Sequence, residues 1–279
     1  MTLQSLGRAD FTRPRVNEPT MNRLQSPAAP TAPLSFDLTH QLFDGSSTHD
    51  LEGDRLRGRA TRCGSQHALF SPMHYERNYA YPLLVWLHDE GGNERELRKL
   101  MPHVSVRNYV GAAVRGVEPS WRSKRGYSWG ASPSAAAETA DRVRQVIELA
   151  DERFNLHARR IFIAGFGSGG MMALRLALEN PSWFAGAASL NGPMPRGNCP
   201  LARVNEARRL PLFLASCRDS RAYPPAHVSA DLRLLYSAGF SLALRQYPCP
   251  CELTTAMLSD MDRWLMQQVC PETAAAASS

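Results

Sequence analysis

From about residue 66 the chain alternates short apolar runs with longer segments in which apolar residues recur every three or four positions. The runs at 67–75, 81–88, 109–116, 160–165, 184–190, 210–216 and 240–248 have strand length, and the middle ones are apolar throughout. Strands covered on both faces of a parallel sheet carry this signature. Between them, Ser132 followed by Pro133 makes an N-cap and first-turn pair, after which Ala136, Ala140, Val143, Ile147, Ala150 and Phe154 recur at helical spacing. Met257, Met261, Trp264, Leu265 and Val269 predict a final helix whose stripe reads as core rather than as a ligand set. Strand and helix alternating in this way predict an α/β fold with a mainly parallel, twisted sheet and helices on both faces.

The pattern also divides the chain. Residues 1–35 are rich in Pro, Ser, Thr and Arg, and "SPAAPTAPL" at 26–34 cannot hold a regular element, which predicts a disordered tail. A poorly defined lead-in at 36–65 precedes one domain at 66–271, and 272–279 is expected to be disordered again. With 279 residues, 43% of them hydrophobic, one substantial core is within reach.

The net charge of +6 is carried almost wholly by arginine, since Lys99 and Lys124 are the only lysines. The basic residues are spread along the chain, as in "DRLRGRATR" and "WRSKRG", so no stripe tracks a phosphate backbone and nucleic-acid binding is not expected. The six cysteines form no C-x-x-C pair and lack paired histidine spacing, so neither a metal site nor any other cofactor is signalled. The first twenty residues contain no apolar h-region, and no apolar run approaches bilayer length, which predicts a cytoplasmic protein without a membrane span.

The candidate chemistry lies in "AGFGSGG" at 164–170. Gly165, Gly167 and Gly170 spell G-x-G-x-x-G, a dinucleotide turn, but at least three strands come first. The following strand ends in Leu190 and Asn191 with no acid for a ribose. The other reading is a nucleophile elbow, a strand-to-helix turn that needs small residues two places before and two after its centre. Centred on Ser168 those neighbours are Phe166 and Gly170; centred on Gly167 they are Gly165 and Gly169. The sterics favour Gly167, which also tolerates a positive φ at no cost.

Taken with "YPLLVWLHDEGG", "RNYVGAAVRG", "GYSWG", "FAGAASLNGPMP" and "YPCPCELT", this segment resembles the carboxylesterase and phospholipase branch of the α/β-hydrolase fold, close to polyhydroxyalkanoate depolymerase-like proteins, over roughly residues 66–270. The resemblance implies a Ser, Asp and His triad. Its nucleophile slot falls on Gly167, its acid on Asp219 and its base on Cys251, because the last histidine of the chain is His227. It also implies an oxyanion hole at Glu90 and Ser168, with His88, Gly91 and Gly92 in the neighbouring ligand-binding loop. Asp89 stands where the family has glycine, so Asp89 and Glu90 would oppose a developing negative charge unless they point outward. These substitutions predict a relative without serine-esterase turnover that binds a small acyl-ester-like ligand or a protein. The alternative is an active carboxylic ester hydrolase that attacks through Ser168, with His88 as a conceivable base.

Overall fold

The computed structural model describes residues 66–197, 201–248 and 252–270. The expected tails, the lead-in segment and Cys251 lie outside these residues. Seven strands form one sheet in the order β1 (His67–Phe70), β3 (Val110–Val114), β2 (Tyr81–Leu87), β6 (Leu156–Phe166), β7 (Gly186–Leu190), β8 (Leu212–Cys217) and β9 (Leu242–Tyr247). Among the described residues of this sheet, only β1 runs antiparallel to its neighbour. A two-stranded ribbon, β4 (Glu118–Pro119) with β5 (Tyr127–Ser128), projects from the connection after β3.

The uninterrupted apolar runs are explained by burial on two faces. Along β2, Leu83, Val85 and Leu87 enter one core cluster while Leu84 and Trp86 enter the other. The first cluster is closed by α2 (Pro133–Arg153), α3 (Ser168–Glu179) and α5 (Pro225–Ser237), through residues such as Val143, Leu174 and Leu235. The second is closed by α1 (Glu96–Val104) and α6 (Thr255–Val269), whose Met257, Met261, Trp264, Leu265 and Val269 are all buried. A short α4 (Val204–Ala207) joins β7 to β8. The protein is therefore an α/β fold with helices on both faces of a mostly parallel sheet. Ser132 caps α2 by accepting from the Ala135 N–H at 3.1 Å. Among the described residues no helix is long and apolar enough to cross a membrane.

Most boundaries fall within about two residues of the sequence pattern, and the larger departures are three. The first run shortens to His67–Phe70, because Pro72 has no N–H for a ladder and His74 adopts a φ of 57°. Strand β6 starts earlier, at Leu156, since Tyr81 pairs with Leu156 across a register shift. The β4–β5 ribbon is too short for two-residue alternation to register in sequence.

Trp264 anchors the second core, its ring 5.6 Å from Phe213 and 6.4 Å from Phe162 between centroids, with its tip against Gly186. Trp264→Ala is expected to cost about 3–5 kcal/mol by lost transfer and cavity formation. Urea unfolding should show it as a lower midpoint at unchanged m.

Candidate functional site

Strand β6 leads into α3 through a single residue, Gly167, at φ 54° and ψ −119°. The Gly167 N–H donates to Leu190 O at 2.8 Å, and its carbonyl accepts from the Met171 N–H at 3.1 Å. This turn is as crowded as the sequence requires. A Cβ on Gly165 would lie 2.5 Å from the Gly169 carbonyl carbon and 2.7 Å from Leu87 O, and one on Gly169 would overlap the Leu87 and His88 carbonyls. The strand-to-helix turn is thus centred on Gly167, and Phe166 is buried in the core beneath it.

Past β2 the chain enters a loop built around His88. Its Nδ1 lies 2.7 Å from the Asp89 carbonyl, which can only accept, and its Nε2 receives the Gly116 N–H at 3.0 Å. The partners fix the Nδ1–H tautomer. Burial holds this histidine well below its ordinary pKa, at about 4, so the ring is neutral at physiological pH. Trp129 stacks on it with centroids 4.5 Å apart and donates its indole N–H to His88 O at 2.8 Å. Gly91, at φ 86°, donates to Tyr127 O at 3.0 Å, and Gly92 O accepts from the Tyr127 N–H at 2.9 Å, which laces the loop to β5. Beneath it Glu94 is 3% exposed and takes both Nε–H and Nη2–H of Arg115, at 2.9 and 2.6 Å.

The two carboxylates of this loop diverge. Glu90 turns to Ser120, whose hydroxyl donates to its Oε1 at 2.5 Å. Asp89 turns inward. Its Oδ1 accepts the Ser168 backbone N–H at 2.8 Å, at the first residue of α3. A Cβ built on Gly167 would overlap Asp89 Oδ1, with Asp89 Cγ 2.6 Å away. The carboxylate therefore fills the space a side chain at position 167 would need, and it caps a helix whose own N-cap residue has no side chain.

The Ser168 hydroxyl is buried with no hydrogen-bond partner among the described residues. Both ring nitrogens of His88 are committed within the fold, so neither is available to Ser168. Asp219 is exposed in the turn after β8, two strands across from β6, or roughly 10 Å at ordinary strand spacing. Cys251 lies outside the described residues. His227 sits exposed in the first turn of α5. Among the described residues no cluster of three or more His, Cys, Asp or Glu could hold a metal ion.

Comparison with known proteins agrees with this architecture. Residues 95–266 match the family model described as Phospholipase/Carboxylesterase. The chain belongs to this family. A segment of 138 residues is 32% identical to "Putative esterase NocK" from Nocardia uniformis subsp. tsuyamanensis, spanning 47% of this chain and 38% of that protein. The chain thus aligns with well under half of that relative's length. Among solved structures, the carboxylesterase of Bacillus cereus superposes with a TM-score of 0.59 at 17% identity, covering 74% of this chain and 96% of that one. A carboxylesterase from Mesorhizobium loti gives 0.56 at 19% identity, covering 66% and 88%. At these identities the structures establish the α/β-hydrolase fold.

One residue near the turn escaped the sequence reading. The Glu96 carboxyl lies against Gly92, where burial chiefly, and the Asp89 charge secondarily, push its pKa up to about 7. A single glutamate at a helix start carries no periodic signal of such an environment. Because its folded pKa lies above the unfolded value near 4.5, the folded state binds the extra proton between these limits, and stability due to Glu96 falls as pH rises from about 4.5 to 7. Glu96→Gln is expected to remove that loss: its melting temperature should gain on the native protein across this window and hold a constant lead above it.

Proposed function

We propose that this carboxylesterase-family chain does not turn over esters by the serine mechanism and serves as a binding relative, for a small acyl-ester-like ligand or for a protein. The observation that carries the reading is the Asp89 carboxylate, which sits in the volume of a residue-167 side chain and takes the Ser168 N–H. In a competent elbow the N–H after the nucleophile stabilises the oxyanion. Here that donor is met by a fixed internal anion. Gly167, Asp219 and Cys251 are the residues assigned to the triad slots. Glu90 and Ser168 are assigned to the oxyanion hole, and His88, Gly91 and Gly92 support the loop beside it. Attack by Ser168 is the weaker reading, since its hydroxyl has no base within hydrogen-bond reach among the described residues.

The steric relation between positions 89 and 167 makes the test specific. The native chain should neither hydrolyse p-nitrophenyl acetate above background nor react with a fluorophosphonate probe. A Gly167→Ser, Cys251→His variant should also stay unlabelled, because Asp89 must both yield space and release the Ser168 N–H before a nucleophile at position 167 can act. Adding Asp89→Gly should give a protein that labels at position 167, located by mass spectrometry. Labelling of the native chain at Ser168 would overturn the reading in favour of an active hydrolase.

A further inference from the structure

One turn along α3 from Gly167, a cavity of about 290 Å³ opens between the helix, the loop after β7 and the start of α5. Its apolar floor is formed by Met171, Met172 and Met194, with Pro193 and Pro195 beside them. Three cationic or basic side chains, Arg175, Arg196 and His227, stand around it. Arg175 spends its Nε–H on Glu179 at 3.0 Å and reaches Ala131 O with Nη1 at 3.5 Å, while its Nη2 has no partner among the described residues. Arg196 is exposed and makes no hydrogen bond or ion pair among the described residues. The loop that carries Met194 and Arg196 is held in place from below, since Asp231 of α5 accepts the Met194 N–H at 3.0 Å and the two prolines fix their own φ.

The geometry points to a binding site for a small organic anion with an apolar body, such as an alkyl carboxylate. The volume is at the small end of ligand cavities, roughly 300–1,000 Å³, which suits a small molecule rather than a peptide. Methionines give an apolar surface that adapts to chain shape. Glu179 offsets one positive charge at the Arg175 end, so Arg196 and the unspent edge of Arg175 supply the donors for a carboxylate. The backbone at Met194 is already held, so binding has mainly the Arg196 side chain to order.

This inference deepens the ligand-binding reading above, and the two fail separately. Ester turnover by the native chain would overturn that reading and leave the cavity intact; a cavity that takes no anion would overturn this one and leave the turn at Gly167 as described. The test is isothermal titration of the full chain with octanoate and with its neutral analogue octanamide. Octanoate should bind saturably, and octanamide about tenfold more weakly, the worth of a charge-assisted hydrogen bond. Arg196→Gln, at an exposed position, should weaken octanoate by about tenfold and leave octanamide unchanged. Ala131→Trp, on the exposed rim, should block both at an unaltered melting temperature. Equal binding of the two compounds, indifference to Arg196→Gln, or no saturable heat for octanoate up to about 10 mM would each overturn the proposal.

Discussion

The Asp89 carboxylate and a side chain at position 167 compete for one volume, and around this turn the structure has been resolved in favour of the carboxylate. Two requirements then coincide on glycine. The backbone there holds a φ of 54°, which L side chains rarely adopt, and the space above the Cα is taken. The carboxylate gains the Ser168 N–H and the positive end of α3, an arrangement worth roughly 0.3–2 kcal/mol. A helix whose N-cap is glycine receives its capping oxygen from a loop 79 residues away in sequence.

Sheet topology makes that contact possible. Strands β2 and β6 are parallel neighbours, and Leu87 pairs with Gly165 at their shared end. Each chain then runs on by two residues, so Asp89 arrives level with Gly167. The loop cannot drift from this position, because His88 is pinned by Gly116 and Trp129, and Gly91 and Gly92 are tied to β5. The Glu94–Arg115 pair, with Arg115 also 4.7 Å over the Tyr127 ring, links the base of the loop to β3 and β5. Removing one partner of so buried a pair would leave an uncompensated charge, which is why such pairs fix geometry more than they add stability.

What the sequence revealed and what it concealed divide along the range of the interactions. The buried strands and the α2 and α6 stripes are local patterns of apolar residues, and they stand in the sequence almost residue by residue. The centring of the turn on Gly167 was also legible, since Gly165 and Gly169 flank it two places to either side, although much of the backbone that crowds them belongs to Leu87 and His88 on the neighbouring strand. Strand ends were less so. The start of β6 depends on a pairing with Tyr81, and the end of β1 on a proline and a left-handed histidine. The directions of Asp89 and Glu90 could not be read at all. Both looked like charges bordering an anion site, and only the positions of Ser120 and of the α3 N-terminus decide that one turns away and the other turns in.

The inward carboxylate also constrains what any chemistry at this turn would have to achieve. A developing oxyanion could use the Ser168 N–H only after Asp89 had left it, and a single such donor is worth about 2.7–4 kcal/mol to a transition state. Departure would uncap α3 and leave a negative charge beside the nascent one, so the two terms add against the reaction. Glu96 lies in the same corner, where burial chiefly and the Asp89 charge to a lesser degree push its carboxyl pKa up to about 7. A further anion in this corner would meet the same desolvation and the Asp89 charge. Ligands of negative charge are better served one turn along α3, where Arg175 and Arg196 stand beside the apolar floor of Met171, Met172 and Met194.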